Sequence, residues 1–358
     1  MHQYSSHRFY IDACHPLYME TRKIQKTGGS SYIVSLPKWW VLRSNLKKND
    51  KVNMIVKEDG TLVIFPEELR KKFEKSKVIQ ITEDANSDDI LRILVGTYMA
   101  GFSTIHLKSR SVIPPPIKRE IRKFTKIAIG VEIVEEKEGD IIIKDLLNPR
   151  EIPILKGLRR MYEIATEMHR HIIEAYKNED VELLEDIISR DTEVDRLYWL
   201  IARQYHMIRE RLLSEEETGI SSSLALHTFL LSRYIERIGD HGVRLAKSIR
   251  VLLDRRYKNK EVMNYIENAQ NYALSIFQGS LESFFSKDLV GANRTIGMVE
   301  ELIPLCKSIL SFANKSEGPV AISLAYISES IRRVGEYAGD IAEDTINYIM
   351  ENTQSAKV

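Results

Sequence analysis

From Pro153 onward, apolar residues recur at three- and four-residue spacings through six long stretches, and this periodicity constrains the chain more than any other feature. The stretches are Leu155–Tyr176, Val181–Arg211, Ser221–Leu253, Glu261–Phe285, Asp288–Phe312 and Val320–Met350. The breaks carry residues that stop or start helices: Asn178-Glu179-Asp180, Thr218-Gly219, Lys258-Asn259-Lys260, Lys287-Asp288 and Gly318-Pro319. Helices of this length bury their apolar stripes against one another, so the spacing predicts an all-α six-helix bundle. None of them holds the ~18 consecutive apolar residues of a membrane span. The six also divide into two threes. Tyr234-Ile235-Glu236-Arg237-Ile238-Gly239-Asp240-His241 lies over Ser330-Ile331-Arg332-Arg333-Val334-Gly335-Glu336-Tyr337 at a constant offset, and Val194-Asp195-Arg196-Leu197 lies over Val299-Glu300-Glu301-Leu302. The pattern predicts an internal duplication.

Upstream the texture changes. Between 77 and 147 the chain reads strand (Val78–Thr82), helix (Asp88–Ala100), strand (Thr104–Lys108), helix (Pro116–Lys126) and two strands (Val131–Glu135, Asp140–Lys144). Ser87 reads as the N-cap of the first helix, and Gly101 follows its end. Nothing catalytic is written on this α/β connector. From 20 to 72 short β-rich runs alternate with turns: Ser31–Leu36 ends at Pro37, Lys38–Arg43 suits one or two helical turns, and Val52–Val56 and Thr61–Phe65 flank Lys57-Glu58-Asp59-Gly60. Asp-Gly between two such runs is a hairpin signal, because its turn needs positive φ. So small a unit is expected to dimerise or to lean on a neighbour. Residues 1–19 are polar and aromatic, without an apolar signal region, and read as a flexible tail or as sequence upstream of a true start at Met19. The expected layout is thus 1–19 tail, 20–72 hairpin domain, 77–147 connector and 152–352 bundle, with repeats at 152–256 and 260–352.

Charge is distributed unevenly. The whole chain carries 52 basic and 51 acidic side chains, so no overall field selects a polyanion. Between Glu20 and Lys57, however, nine basic residues face two acidic ones. That local excess is what neutralising nucleic-acid phosphates requires. Gly28-Gly29-Ser30-Ser31 adds backbone N–H groups and hydroxyls at a turn, which also suit phosphate oxygens. A lysine-protected edge of a small solvated sheet gives the same composition. The two cysteines, Cys14 and Cys306, make no disulfide framework, which fits a reducing, cytoplasmic setting.

The run Arg22-Lys23-Ile24-Gln25-Lys26-Thr27-Gly28-Gly29-Ser30-Ser31-Tyr32-Ile33-Val34-Ser35-Leu36-Pro37, followed by Leu46-Lys47-Lys48-Asn49-Asp50-Lys51-Val52, resembles the swapped-hairpin domain of the AbrB/MazE/SpoVT family. Asn49 stands where that family usually has Gly, and Asn tolerates the positive φ required. The resemblance implies two chains interleaved into a dimer whose basic face binds DNA. By position, Arg22, Lys23 and Lys26 would lead the contacts, with Ser30, Ser31, Lys38 and Arg43 beside them.

On the duplicated helices Glu236 and Asp240 are four residues apart and share a face, as do Glu336 and Asp340. Gly239, Gly242, Gly335 and Gly339 lie among them. A glycine inside a helix costs about 1 kcal/mol relative to alanine, so four imply a close approach by a paired helix or a ligand. The pattern Glu236-Arg237-Ile238-Gly239-Asp240-His241 with Leu245-Ala246, in a duplicated six-helix chain, resembles the PhoU family of phosphate-uptake regulators. That resemblance implies Glu/Asp-x-x-x-Asp-x-x-x-Asn metal motifs for iron or another divalent ion, with Glu236, Asp240, Glu336 and Asp340 as ligands. Arg244 and Arg332 stand where two further ligands would be, and a cation there opposes metal. Ion-pair ladders, Glu236–Asp240–Arg244 and Arg332–Glu336–Asp340, are the alternative.

No Gly-x-x-x-x-Gly-Lys-Ser/Thr, His-Glu-x-x-His or Gly-x-Ser-x-Gly motif occurs, and no histidine lies three residues after a glutamate as a di-iron bundle needs. His241 reads as a packing or surface residue. Combined with the hairpin domain, the closest resemblance is to archaeal phosphate-uptake regulators. It implies a cytoplasmic transcriptional regulator with DNA and a second copy as partners, and phosphate-transport or signalling components as further ones. A regulatory adaptor without DNA binding, and a metal-binding bundle or enzyme, are the alternatives.

Overall fold

The computed structural model describes residues 20–28, 31–56, 60–66, 75–148, 151–210, 212–213 and 215–353. The 1–19 tail, Ser30 and the Lys57-Glu58-Asp59 turn lie outside them. The chain divides into two compact units, 1–73 and 74–358.

In the first unit β1 (Gln25–Thr27) pairs antiparallel with β2 (Ser31–Ile33), α1 spans Lys38–Arg43, and β3 (Val52–Val56) pairs antiparallel with β4 (Leu62–Pro66). Positive φ falls where the sequence provides for it, at Gly28 (61°), Asn49 (76°) and Gly60 (79°). Asn49 therefore takes the turn conformation expected of it. Among the described residues of this unit only Pro66 is buried. Ile24 and Tyr32 are each 71% exposed, and Trp39, Leu42, Met54 and Val56 are exposed as well.

The second unit opens with the α/β module: β5 (Ser76–Ile81), α2 (Ser87–Met99), β6 (Thr104–Ser109), α3 (Pro115–Ile127), β7 (Val131–Glu136) and β8 (Asp140–Asp145). The sheet order is β5-β6-β8-β7, with the β5–β6 pair parallel and the others antiparallel. The α2 N-cap is Asn86, whose side chain accepts from the Asp88 N–H, one residue before the expected Ser87. Gly101 follows the helix at φ 85°.

The bundle contains α4 (Ile154–Asn178), α5 (Val181–Arg209), the short α6 (Glu215–Thr218), α7 (Ser222–Asp254), α8 (Lys260–Ser286), α9 (Leu289–Ala313) and α10 (Gly318–Glu351). Its six long helices match the six sequence stretches. α4, α5 and α7 pack together, as do α8, α9 and α10; α7 against α10 and α4 against α8 join the two sets. One continuous apolar core runs through both. The duplication also shows at the first turn of each repeat. Glu179 and Lys287 end α4 and α8 in left-handed conformation, and the next residue, Asp180 or Asp288, caps the following helix.

Gly242, Gly335 and Gly339 serve helix packing, while Gly239 has room for a methyl group. A Cβ on Gly239 would meet Val194 of α5 at 3.5 Å, and one on Gly242 would meet His169 of α4 at 3.2 Å. On α10, a Cβ on Gly335 would collide with Leu302 of α9, and one on Gly339 would meet Val299 at 3.0 Å. His169 is fully buried, and its Nε2 donates to the Ile238 carbonyl at 2.8 Å while Nδ1 accepts from Gln270 at 2.7 Å. Burial pushes it down to about 4, so it is a neutral bridge between α4, α7 and α8.

The α/β module is fastened to α5. Arg203, 2% exposed, pairs with Asp145 at 2.7 Å and donates to the Tyr98 and Phe102 carbonyls, both at 2.8 Å. Lys75 adds an ion pair to Glu210 at 2.8 Å, and Trp199 of α5 packs on the module's core. A buried arginine with this many partners ties two surfaces together, because losing any one of them strands a charge.

Candidate functional site

The basic N-terminal unit and the seam of the bundle are the two candidate sites. In the first, Arg22, Lys23, Lys26, Ser31, Lys38 and Arg43 are all exposed. Lys26 sits mid-strand opposite Tyr32, Ser31 opens β2, and Lys38 and Arg43 are the ends of α1. Arg22 is bonded to Glu20, which also accepts from the Trp39 indole at 3.0 Å. That leaves Arg22 the most constrained of the set. Short strands with every side chain exposed hold these cations outward, as a surface for phosphates requires.

In the bundle, Glu236 and Asp240 lie on α7, and α5 brings two more acids against them. Asp191 faces Gly239: its Oδ1 lies 3.4 Å from where a Cβ would stand. Asp195 is one helical turn further along. Burial pushes Asp195 up to about 7, helped by Asp191, Glu236 and Asp240, and it pushes Asp191 up to about 6, helped by Asp240. Glu236 is raised by burial and by Asp240. Sequence alone does not mark the two α5 acids as site residues. The signal was present in their i,i+4 spacing, but nothing in one dimension shows which face α5 turns to α7.

Arg237 answers part of this charge, lying 3.1 Å from Asp240 and 3.5 Å from Glu236. The expected ladder from Asp240 to Arg244 does not form. Arg244 makes no ion pair among the described residues, because the i+3 arginine already occupies that carboxylate. The second repeat behaves differently. Arg332 bonds Glu336, as the ladder predicted, and also Glu329 at 2.8 Å, while Arg333 reaches Glu336 at 3.0 Å and Glu329 at 3.1 Å. Asp340 is raised by burial and by Glu343 and Glu336.

A metal site needs ligands that converge and a charge left to satisfy. Among the described residues no group of three or more His, Cys, Asp or Glu side chains is placed to hold a metal ion. In the second repeat the Glu336 charge is already met by two guanidinium groups. The donor set of the second repeat therefore does not fit a resident metal centre, whereas the acids of the first repeat keep charge unmet.

A family model described as the PhoU domain matches residues 158–249, and one described as antidote-toxin recognition MazE, bacterial antitoxin, matches residues 25–72. The chain thus carries a PhoU domain in its bundle and a MazE-like domain at its N-terminus. It is 23% identical over 201 residues to a phosphate-specific transport system accessory protein PhoU homolog of Clostridium acetobutylicum, covering 54% of this chain and 89% of that one. A homolog of the same description from Deinococcus radiodurans is 29% identical over 141 residues, 38% of this chain and 63% of the relative. The crystal structure of PhoU from Pseudomonas aeruginosa superposes with a TM-score of 0.47 at 16% identity, covering 56% of this chain and 96% of that one. No helix among the described residues is long and apolar enough to cross a membrane.

Proposed function

We propose that this PhoU-domain protein is a cytoplasmic transcriptional regulator of phosphate uptake, binding DNA as a homodimer through its MazE-like unit and sensing a signal or partner through its bundle. One observation carries the reading: a unit whose stretch from Glu20 to Lys57 holds nine basic residues against two acidic ones buries, among its described residues, only Pro66. Apolar side chains such as Ile24, Tyr32 and Met54, left bare on a small sheet, are what a second copy would cover. The cations around them would then form one continuous face for a duplex. Arg22, Lys23 and Lys26 lead that face, with Ser31, Lys38 and Arg43 beside them. The link to phosphate rests on the PhoU domain and on relatives described as accessory proteins of phosphate-specific transport. In this reading the state of the bundle alters how the two DNA-binding halves are held.

A second reading, an adaptor that docks on transport components and uses the N-terminal unit only to dimerise, is favoured by those same descriptions. Sequencing the genomic fragments retained by the purified full-length chain separates the two. Enrichment of sites beside phosphate-uptake genes, lost in Lys23→Ala/Lys26→Ala, supports the regulator. Capture of transporter components with no enriched DNA supports the adaptor.

A further inference from the structure

A cavity of about 720 Å³ opens where α7 packs against α10, a volume in the range of small-molecule sites. Its walls come from corresponding positions of the two repeats. Arg237 and His241 on α7 are one turn apart, and so are their counterparts Arg333 and Tyr337 on α10. The duplication has thus brought two versions of one helix face together around an open space. The first repeat adds Arg244 and Lys247, also on the wall.

Two of the three acids on the same wall are paired to arginines. Asp240 holds Arg237 at 3.1 Å, and Glu329 holds Arg332 and Arg333 at 2.8 and 3.1 Å. Asp191 lies toward Lys247. Arg244 has no carboxylate partner among the described residues, although it is the residue that replaces the asparagine implied by the family resemblance. The floor supplies an independent sign. His241 is 9% exposed, its ring is 5.8 Å from that of Tyr337, and its Nδ1 is buried without a hydrogen-bond partner. A buried polar atom without a partner is costly, and one in a cavity wall is relieved by a ligand that bonds to it.

We propose that this inter-repeat cavity binds the phosphate group of a small molecule, with Arg244 as the principal cation, Lys247 and Arg333 flanking it and His241 Nδ1 donating to a phosphate oxygen. A guanidinium offers the planar, two-pronged donor set that phosphate oxygens accept. The remaining volume accommodates more than a single phosphate, and Tyr337 offers a ring face to whatever group carries it. The proposal rests on the sensing role given above to the bundle and names what is sensed. Because α7 against α10 is one of the contacts that join the repeats, a bound phosphate would bridge the two.

Isothermal titration of the full-length chain without DNA, with inorganic phosphate in one arm and ATP in the other, tests this. Saturable binding in either arm, weakened about tenfold or more by Arg244→Gln and by Lys247→Gln but unchanged by Lys315→Gln on a remote turn, supports the site. The arm that binds tells free phosphate from a nucleotide. His241→Phe keeps the bulk and the packing and should weaken binding without lowering the melting temperature. Absence of binding in both arms, or equal loss in the Lys315→Gln control, overturns it. Binding that leaves DNA affinity unchanged upholds the cavity and removes the sensing role instead.

Discussion

The two halves of the bundle share an order of helices and treat charge in opposite ways. In the second, Arg332 and Arg333 clamp Glu329 and Glu336, so those two carboxylates of α10 are met within their own helix. In the first, Asp191 and Asp195 press against Glu236 and Asp240 with Arg237 as the one cation paired to them among the described residues. Arg203 of α5 anchors the α/β module, whereas its counterpart by the offset that lays Val194 over Val299, Ser308 of α9, donates to the Pro304 carbonyl of its own helix. A duplicated scaffold needs only one copy of each attachment, and the other copy is free to become structural. The first repeat therefore carries the attachment to the α/β module and the unmet charge, and the second meets the charge of Glu329 and Glu336 within α10.

Arg203→Ala should break this asymmetry most severely. It strands Asp145 and two backbone carbonyls, at a cost of about 3–5 kcal/mol, read as a fall in the denaturant midpoint; Ser308→Ala should change it by about 0.5 kcal/mol or less. Equal effects would remove the view that Arg203 of α5 anchors the module.

The glycines sharpen the contrast. Gly335→Ala drives a methyl into Leu302 and should destabilise by about 1–3 kcal/mol despite a better helix residue. Gly239→Ala meets its neighbours at ordinary contact distance, so the gain in helix propensity of up to about 1 kcal/mol should survive. The same sign for both would contradict the packing described.

The smallest effect concerns the unmet charge. Asp195 stands at about 7 in the folded chain against 3.8 when free, so its raised value makes its contribution most favourable below about 3.8 and loses it as pH rises toward 7. Asp195→Asn removes that loss and should stabilise by about 1–2 kcal/mol above pH 7, after allowing for solvent screening, with little gain at pH 4. Destabilisation at pH 8 would mean that a cation normally sits among these acids.

Much of the fold was legible because periodicity is a local signal. The six bundle helices begin and end within two residues of the sequence stretches, since Asp180, Ser221, Asn259 and Asp288 cap where the apolar pattern starts. Asn86 rather than Ser87 caps α2, because two adjacent capping residues compete and only geometry chooses. The site was less legible. Arg237 takes Asp240 from Arg244, a choice between i+3 and i+4 that side-chain conformation makes. The meeting of Asp191 with Gly239, and of Arg237 with Arg333 around one cavity, depends on which faces the helices turn to each other. Arg203 gave no signal, because a buried arginine reads in sequence like an exposed one.

The claim on which the functional account depends is that the N-terminal unit, doubled, holds a duplex by its cations. The most direct measurement is the affinity of the full-length chain for duplex DNA across a salt series, with its mass in solution determined in parallel. The account predicts a dimer whose binding weakens linearly in log affinity against log salt. Lys23→Ala or Lys26→Ala should lower the slope by about one for each phosphate no longer neutralised. A monomer indifferent to duplexes at low salt would contradict it.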